Sequence, residues 1–116
     1  LNRRETGTRY EKRAADYLRE RGVRILEQNY RTRYGEIDLV GMDGAYLVFF
    51  EVKYRSNDRL GYPLEAVNPR KQKTIMNTAR AYLRERGVAP GTPVRFDCVG
   101  ILGGETEWVK NAFQAR

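Results

Sequence analysis

The sequence predicts a single α/β domain, one mixed central sheet flanked by helices. Three observations point there. Helical and strand patterns follow one another in the order helix, three strands, helix, strand. A chain of 116 residues is long enough for one hydrophobic core and short for two. Apolar residues at 41% beside charged residues at 32% are the balance of a globular chain, not a disordered one. Residues 1–116 are therefore read as one domain.

The first helix is expected over about residues 8–20, where Ala14, Ala15 and Leu18 share one face and Gly22 supplies the stop. Strands follow at 23–29, 36–42 and 45–54. Asp43-Gly44 between the last two reads as a two-residue type I′ hairpin turn, because both residues tolerate left-handed backbone angles. The second helix begins at Pro69 with Asn68 as its cap, turns Ile75, Ala79, Tyr82 and Leu83 inward, and stops at Gly87. Its first turns carry Arg70, Lys71 and Lys73, cations that the helix dipole disfavours there unless they face a negative partner. Residues 94–102 form a further strand and 107–113 a short edge element; 55–68 is the one long loop.

Composition narrows the chemistry. With no histidine and one cysteine, the chain has no His-based triad, no imidazole base and no Cys/His zinc site. Lone Cys98 makes no internal disulfide. A hydrolytic site would rest on carboxylates, lysine or a metal held by oxygen. The excess of 22 Lys and Arg over 15 Asp and Glu, a formal +7, suits a polyanionic partner, although basic surfaces also serve solubility. No apolar run reaches membrane-spanning length and no apolar signal segment opens the chain, so a cytoplasmic location is expected, with no membrane partner.

The candidate site is acidic. Glu51 and Lys53 leave one face of their strand together with Leu47 and Phe49. Counting back from an Asp43-Gly44 turn puts Asp38 opposite Phe49 and Glu36 opposite Glu51. Asp38 and Glu51 are then diagonal neighbours, about 7–8 Å apart. Like charges at that spacing among Val40, Leu47 and Phe49 are poor packing, and a shared cation would compensate them. The alternative is a hairpin whose Asp38, Glu51 and Lys53 face water in a local charge network. Glu11 lies on the apolar stripe of the first helix, either as a boundary residue or completing the acidic cluster. Gln72 stands likewise on the inward side of the second helix, as an ordinary boundary residue or a neutral cap on the site.

Read together, Ala14-Ala15-Asp16-Tyr17-Leu18, Asn29-Tyr30-Arg31-Thr32-Arg33-Tyr34-Gly35-Glu36-Ile37-Asp38-Leu39-Val40, and Phe49-Phe50-Glu51-Val52-Lys53-Tyr54-Arg55-Ser56 resemble the YraN family, uncharacterised protein family 0102. Residues 71–75, Ala81-Tyr82-Leu83, Arg95-Phe96-Asp97 and Asn111-Ala112-Phe113 extend the resemblance over nearly the whole chain. It implies a restriction endonuclease-like core similar to archaeal Holliday-junction resolvases. On matching positions it implies Asp38 and Glu51 as metal-binding acids, Lys53 as the site lysine and Glu11 as the helix-borne glutamate. Glu36 belongs to the family motif in a supporting place, and Gln72 is a further supporting candidate from its helix position alone.

The expected activity is Mg²⁺- or Mn²⁺-dependent hydrolysis of a DNA phosphodiester, with branched or flapped DNA among the substrates. Arg31, Arg33, Arg55, Arg59 and Lys71 are the candidate phosphate contacts. Tyr30, Tyr34, Tyr54 and Tyr62 are candidate stacking platforms for exposed bases. A homodimer would suit coordinated cuts at a junction. Two other readings stand beside this one: a binding module on the same scaffold that cuts poorly or not at all, and a structural adaptor whose acids hold metal to stabilise the fold.

Overall fold

The computed structural model describes residues 3–55 and 67–114, with side chains from residue 9 onward. The elements are α1 (Arg3–Glu20), β1 (Arg24–Thr32), β2 (Gly35–Asp43), β3 (Tyr46–Arg55), α2 (Pro69–Glu85), β4 (Val94–Leu102) and β5 (Glu105–Phe113). The strands form one sheet in the order β1-β2-β3-β4-β5. All neighbours are antiparallel except β3 and β4, which run parallel. A parallel pair needs a crossover, and the segment carrying α2 provides it. The expected mixed α/β class is what forms. No helix among the described residues is long and apolar enough to cross a membrane.

Alternation along β3 builds two cores. Leu47 and Phe49 pack with Val40, Phe96 and the Ile75, Ala79 and Tyr82 face of α2. Val48 and Phe50 pack with Leu39, Val99 and the Ala14, Ala15 and Leu18 face of α1. Each large side chain fully withdrawn from water contributes about 1.5–3 kcal/mol, so the two helices are held by these faces rather than by their own propensity. Phe49 sits edge-on to Tyr82 at 5.5 Å and stacked on Phe96 at 5.7 Å. The α2 start falls where expected: Asn68 Oδ1 accepts the Lys71 N–H at 2.9 Å, with Pro69 opening the helix.

Several boundaries differ from expectation. Helix α1 starts at Arg3, five residues before the expected Thr8. Arg3, Arg4 and Glu5 carry no apolar stripe, yet are good helix formers. Strand β1 runs on to Thr32 rather than ending at Asn29. It absorbs a register shift between Ile25 and Glu27 and a left-handed residue at Asn29, φ 54°. The edge strand β5 is a full nine residues. Buried Asp97 fastens it, accepting from Trp108 Nε1 at 2.9 Å, Asn111 N at 2.8 Å and Arg95 Nε at 2.9 Å.

The β2–β3 turn is Gly44-Ala45, not Asp43-Gly44, with Asp43 pairing Tyr46. Gly44 alone has positive φ (60°), the pattern of a glycine-first type II′ turn rather than type I′. The register therefore sets Val40 opposite Phe49 and Leu39 opposite Phe50.

At the other end of β2, Gly35 lets α2 approach. A Cβ there would lie 2.5 Å from Thr74 Cγ2 and 3.2 Å from Thr78 Oγ1. Gly35→Ala is accordingly expected to destabilise the protein by roughly 1–3 kcal/mol, the usual cost of overpacking. Urea denaturation measures it, and wild-type stability in the variant would show that α2 yields freely.

Candidate metal centre

The site forms where β2 leaves β3. Ile37 belongs to the α2-side core and Leu39, two positions on, to the α1-side core, so strict alternation breaks at Asp38. The paired residues end at Leu39 and Phe50. Beyond them the N–H of Val52 donates to Asp38 Oδ2 at 2.7 Å, so a carboxylate serves where a strand carbonyl would otherwise accept. Asp38 is therefore not opposite Phe49, nor Glu36 opposite Glu51, as a turn at Asp43-Gly44 required. Asp38 sits at the end of the ladder, beside Glu51.

Three acids converge. One carboxylate oxygen each from Glu11, Glu36 and Asp38 lie within 4.8 Å of one another. Glu11 is brought in by α1, whose Ala14, Ala15 and Leu18 are buried against the sheet one turn further on. Glu36 and Asp38 come from β2. Glu51, from β3, joins through Asp38, whose charge acts on it. It is only 7% exposed, and Lys71 Nζ of α2 stands 3.6 Å from its Oε2.

Electrostatics record the crowding. Burial first, then the charge of Asp38, pushes Glu11 up to about 7, while a hydrogen bond from Asn29 works the other way. Glu51 is pushed up to about 8, again by burial before the Asp38 charge, with Lys71 and Lys53 opposing. Two like charges at 4–5 Å repel by roughly 3–4 kcal/mol at the effective dielectric of a protein. Such acids hold protons into the neutral range unless a cation replaces them.

The donor set fits a hard divalent ion. All four groups are carboxylates, the ligand type that Mg²⁺ and Mn²⁺ prefer. Opposed ligands of Mg²⁺ lie roughly 4.2 Å apart, so the oxygens of Glu11, Glu36 and Asp38, within 4.8 Å of one another, close on one ion by small side-chain movements, while Glu51 lies outside that group of three. The other expected residues divide. Lys53 is half-buried on β3, and its charge acts on Glu51. Arg31 is exposed and pairs with Glu36 at 3.4 Å, while exposed Arg33 lies over the Tyr34 ring. Arg55 donates to the Tyr54 carbonyl at 2.9 Å. Gln72 spends its amide nitrogen on Val67 O at 3.1 Å, tying the start of α2 rather than reaching the acids. Arg59 and Tyr62 lie outside the described residues.

One stacking candidate is corrected. Tyr30 is buried in the α2-side core, and its hydroxyl donates to Glu85 at 2.6 Å, so it offers no face to a base. Tyr54 already stacks on Tyr10, ring centres 3.6 Å apart. Tyr34 is 43% exposed. Asn29 is not among the expected site residues, although it acts on Glu11 and favours its charged form. The available signal was an asparagine inside a strand, a residue type rare there except at left-handed positions.

Comparison with known proteins gives the lineage. A UPF0102 protein of Lachnoclostridium phytofermentans is 48% identical over 115 residues, 99% of this chain and 98% of the relative. One from Methylococcus capsulatus is 44% identical, covering 96% and 92%, and one from Fusobacterium nucleatum 38% identical, also covering 96% and 92%. The family model for uncharacterised protein family UPF0102 matches residues 10–101, the stretch that holds Glu11, Glu36, Asp38, Glu51, Lys53 and Lys71. On both counts the chain belongs to the UPF0102 family.

Proposed function

We propose that this protein is a Mg²⁺- or Mn²⁺-dependent nuclease of the restriction endonuclease-like type, acting on DNA and suited to branched or flapped forms. The observation that carries the reading is the convergence of Glu11, Glu36 and Asp38, with Glu51 beside Asp38, on a chain of net charge +7. A carboxylate cluster at this density is costly by itself, and it lies next to two lysines suited to phosphate.

Asp38 and Glu51 would hold the ion, with Glu36 in support. The bound ion supplies a polarised phosphate and a water acidic enough to attack it. Lys53 would place positive charge beside the oxygens of the pentacoordinate phosphorus, where negative charge develops. Glu11 would order the outer shell of the ion and help take the proton of the attacking water. Arg31, Arg33 and Arg55 would grip flanking phosphates.

The test is a cleavage panel across junction, flap, single-stranded and duplex DNA with Mg²⁺, Mn²⁺ or chelator, with Glu51→Gln as the control for contaminating nuclease. Metal-dependent cutting that disappears in the variant is the expected result. Binding of metal and DNA without any cutting would instead establish a binding module on the same scaffold. A protein that neither binds metal and DNA nor cuts would remove the reading altogether.

A further inference from the structure

We propose that Lys71 is a displaceable counter-ion: it takes the electrostatic place of the divalent cation on Glu51 and passes to a substrate phosphodiester when the cation arrives. The inference rests on the metal-dependent reading above and assigns that site a residue with two alternative partners.

The geometry makes Lys71 the movable member of the pair. Glu51 is 7% exposed and fixed in β3, whereas the Lys71 side chain is 41% exposed at the end of a four-carbon stem. Their separation, 3.6 Å, is that of a loose ion pair rather than a short charged hydrogen bond. The Lys71 backbone is pinned, its N–H donating to Asn68 at 2.9 Å, so only the side chain is free to travel. It also stands in the first turn of α2, where the helix dipole repels cations and no acidic residue offsets it. Glu51 is therefore what holds the ammonium inward. An ion carrying two positive charges on Asp38 and Glu51 would expel it. Lys53, on the same strand as Glu51, adds to that repulsion. The released ammonium then faces solvent beside the site, where the anionic ligand of a nuclease must lie.

Opposite signs in two measurements follow. Isothermal titration of the full chain with MnCl₂, without nucleic acid, should show Lys71→Met binding Mn²⁺ between about 3-fold and 30-fold more tightly than wild type, because a competing charge has gone. Lys71→Arg should bind Mn²⁺ close to the wild-type value. With saturating Mn²⁺ present, the same Lys71→Met protein should bind a short DNA duplex more weakly than wild type, with a salt dependence shallower by about one unit, and equal binding there would overturn the transfer to phosphate. Circular dichroism checks the fold, and Lys71→Gln gives a second neutral replacement read the same way. Saturable wild-type binding with unchanged or weaker Mn²⁺ affinity in both neutral variants overturns the counter-ion role while leaving the metal site standing. No saturable binding to wild type overturns the metal site itself.

Discussion

Asp38→Asn is expected to abolish metal-dependent cleavage while leaving the fold intact or slightly more stable. The amide keeps the shape of the side chain, and its oxygen can still accept the Val52 N–H that Asp38 accepts at 2.7 Å. What disappears is the charge at the centre of the cluster, the one that acts on both Glu11 and Glu51. Loss of an outer partner of a metal typically lowers affinity or activity by about 10–100-fold; loss of a direct ligand should exceed the upper figure. Cleavage kinetics and thermal melts of the same preparation read the two effects separately. Activity within a few-fold of wild type would remove Asp38 from the site.

The second large effect concerns pH. Glu11 and Glu51 have unfolded-state values near 4.5 and are raised to about 7 and about 8 in the folded chain. A raised acid binds its proton more tightly when folded, so its contribution to stability is full below 4.5 and is lost as pH climbs through the folded value. Without metal, stability should therefore fall from about pH 4.5 to about pH 8. With no histidine in the sequence, no ordinary side chain masks that window. Cys98, pushed up to about 12 by burial, lies beyond it. Asp43, lowered by its hydrogen bond from Arg95, acts in the opposite sense and only at more acid pH. Glu51→Gln should flatten the slope, and Mn²⁺ or Mg²⁺ should restore stability at its alkaline end. Chemical denaturation in chelator across this range checks the sign; a stability that rises or stays level would contradict the environment assigned to these two acids.

Much of this was legible in the residues. Asn68 and Pro69 marked the α2 start, and the inward stripe of α1 carried Glu11 toward the sheet. The hairpin was legible in parity but not in register. Setting Gly44 first or second in the turn changes every pairing by two positions, and such a slide keeps each side chain on its own face. The hydrophobic pattern is blind to that choice, so Asp38 was expected diagonal to Glu51 instead of at the ladder end beside it. Nor did the pattern show the break at Asp38, because Ile37, Leu39 and Val40 are all buried, whichever core they join. Tyr30 escaped for a related reason: its inward turn depends on β1 continuing past left-handed Asn29.

Electron paramagnetic resonance of free Mn²⁺ during titration with the full chain tests the central claim most directly. Four carboxylates gathered at the end of the β2–β3 ladder should remove Mn²⁺ from solution in a saturable manner, and Asp38→Asn should abolish that uptake. A free-ion signal undiminished by wild-type protein, or diminished equally by the variant, would contradict a metal centre built on Asp38.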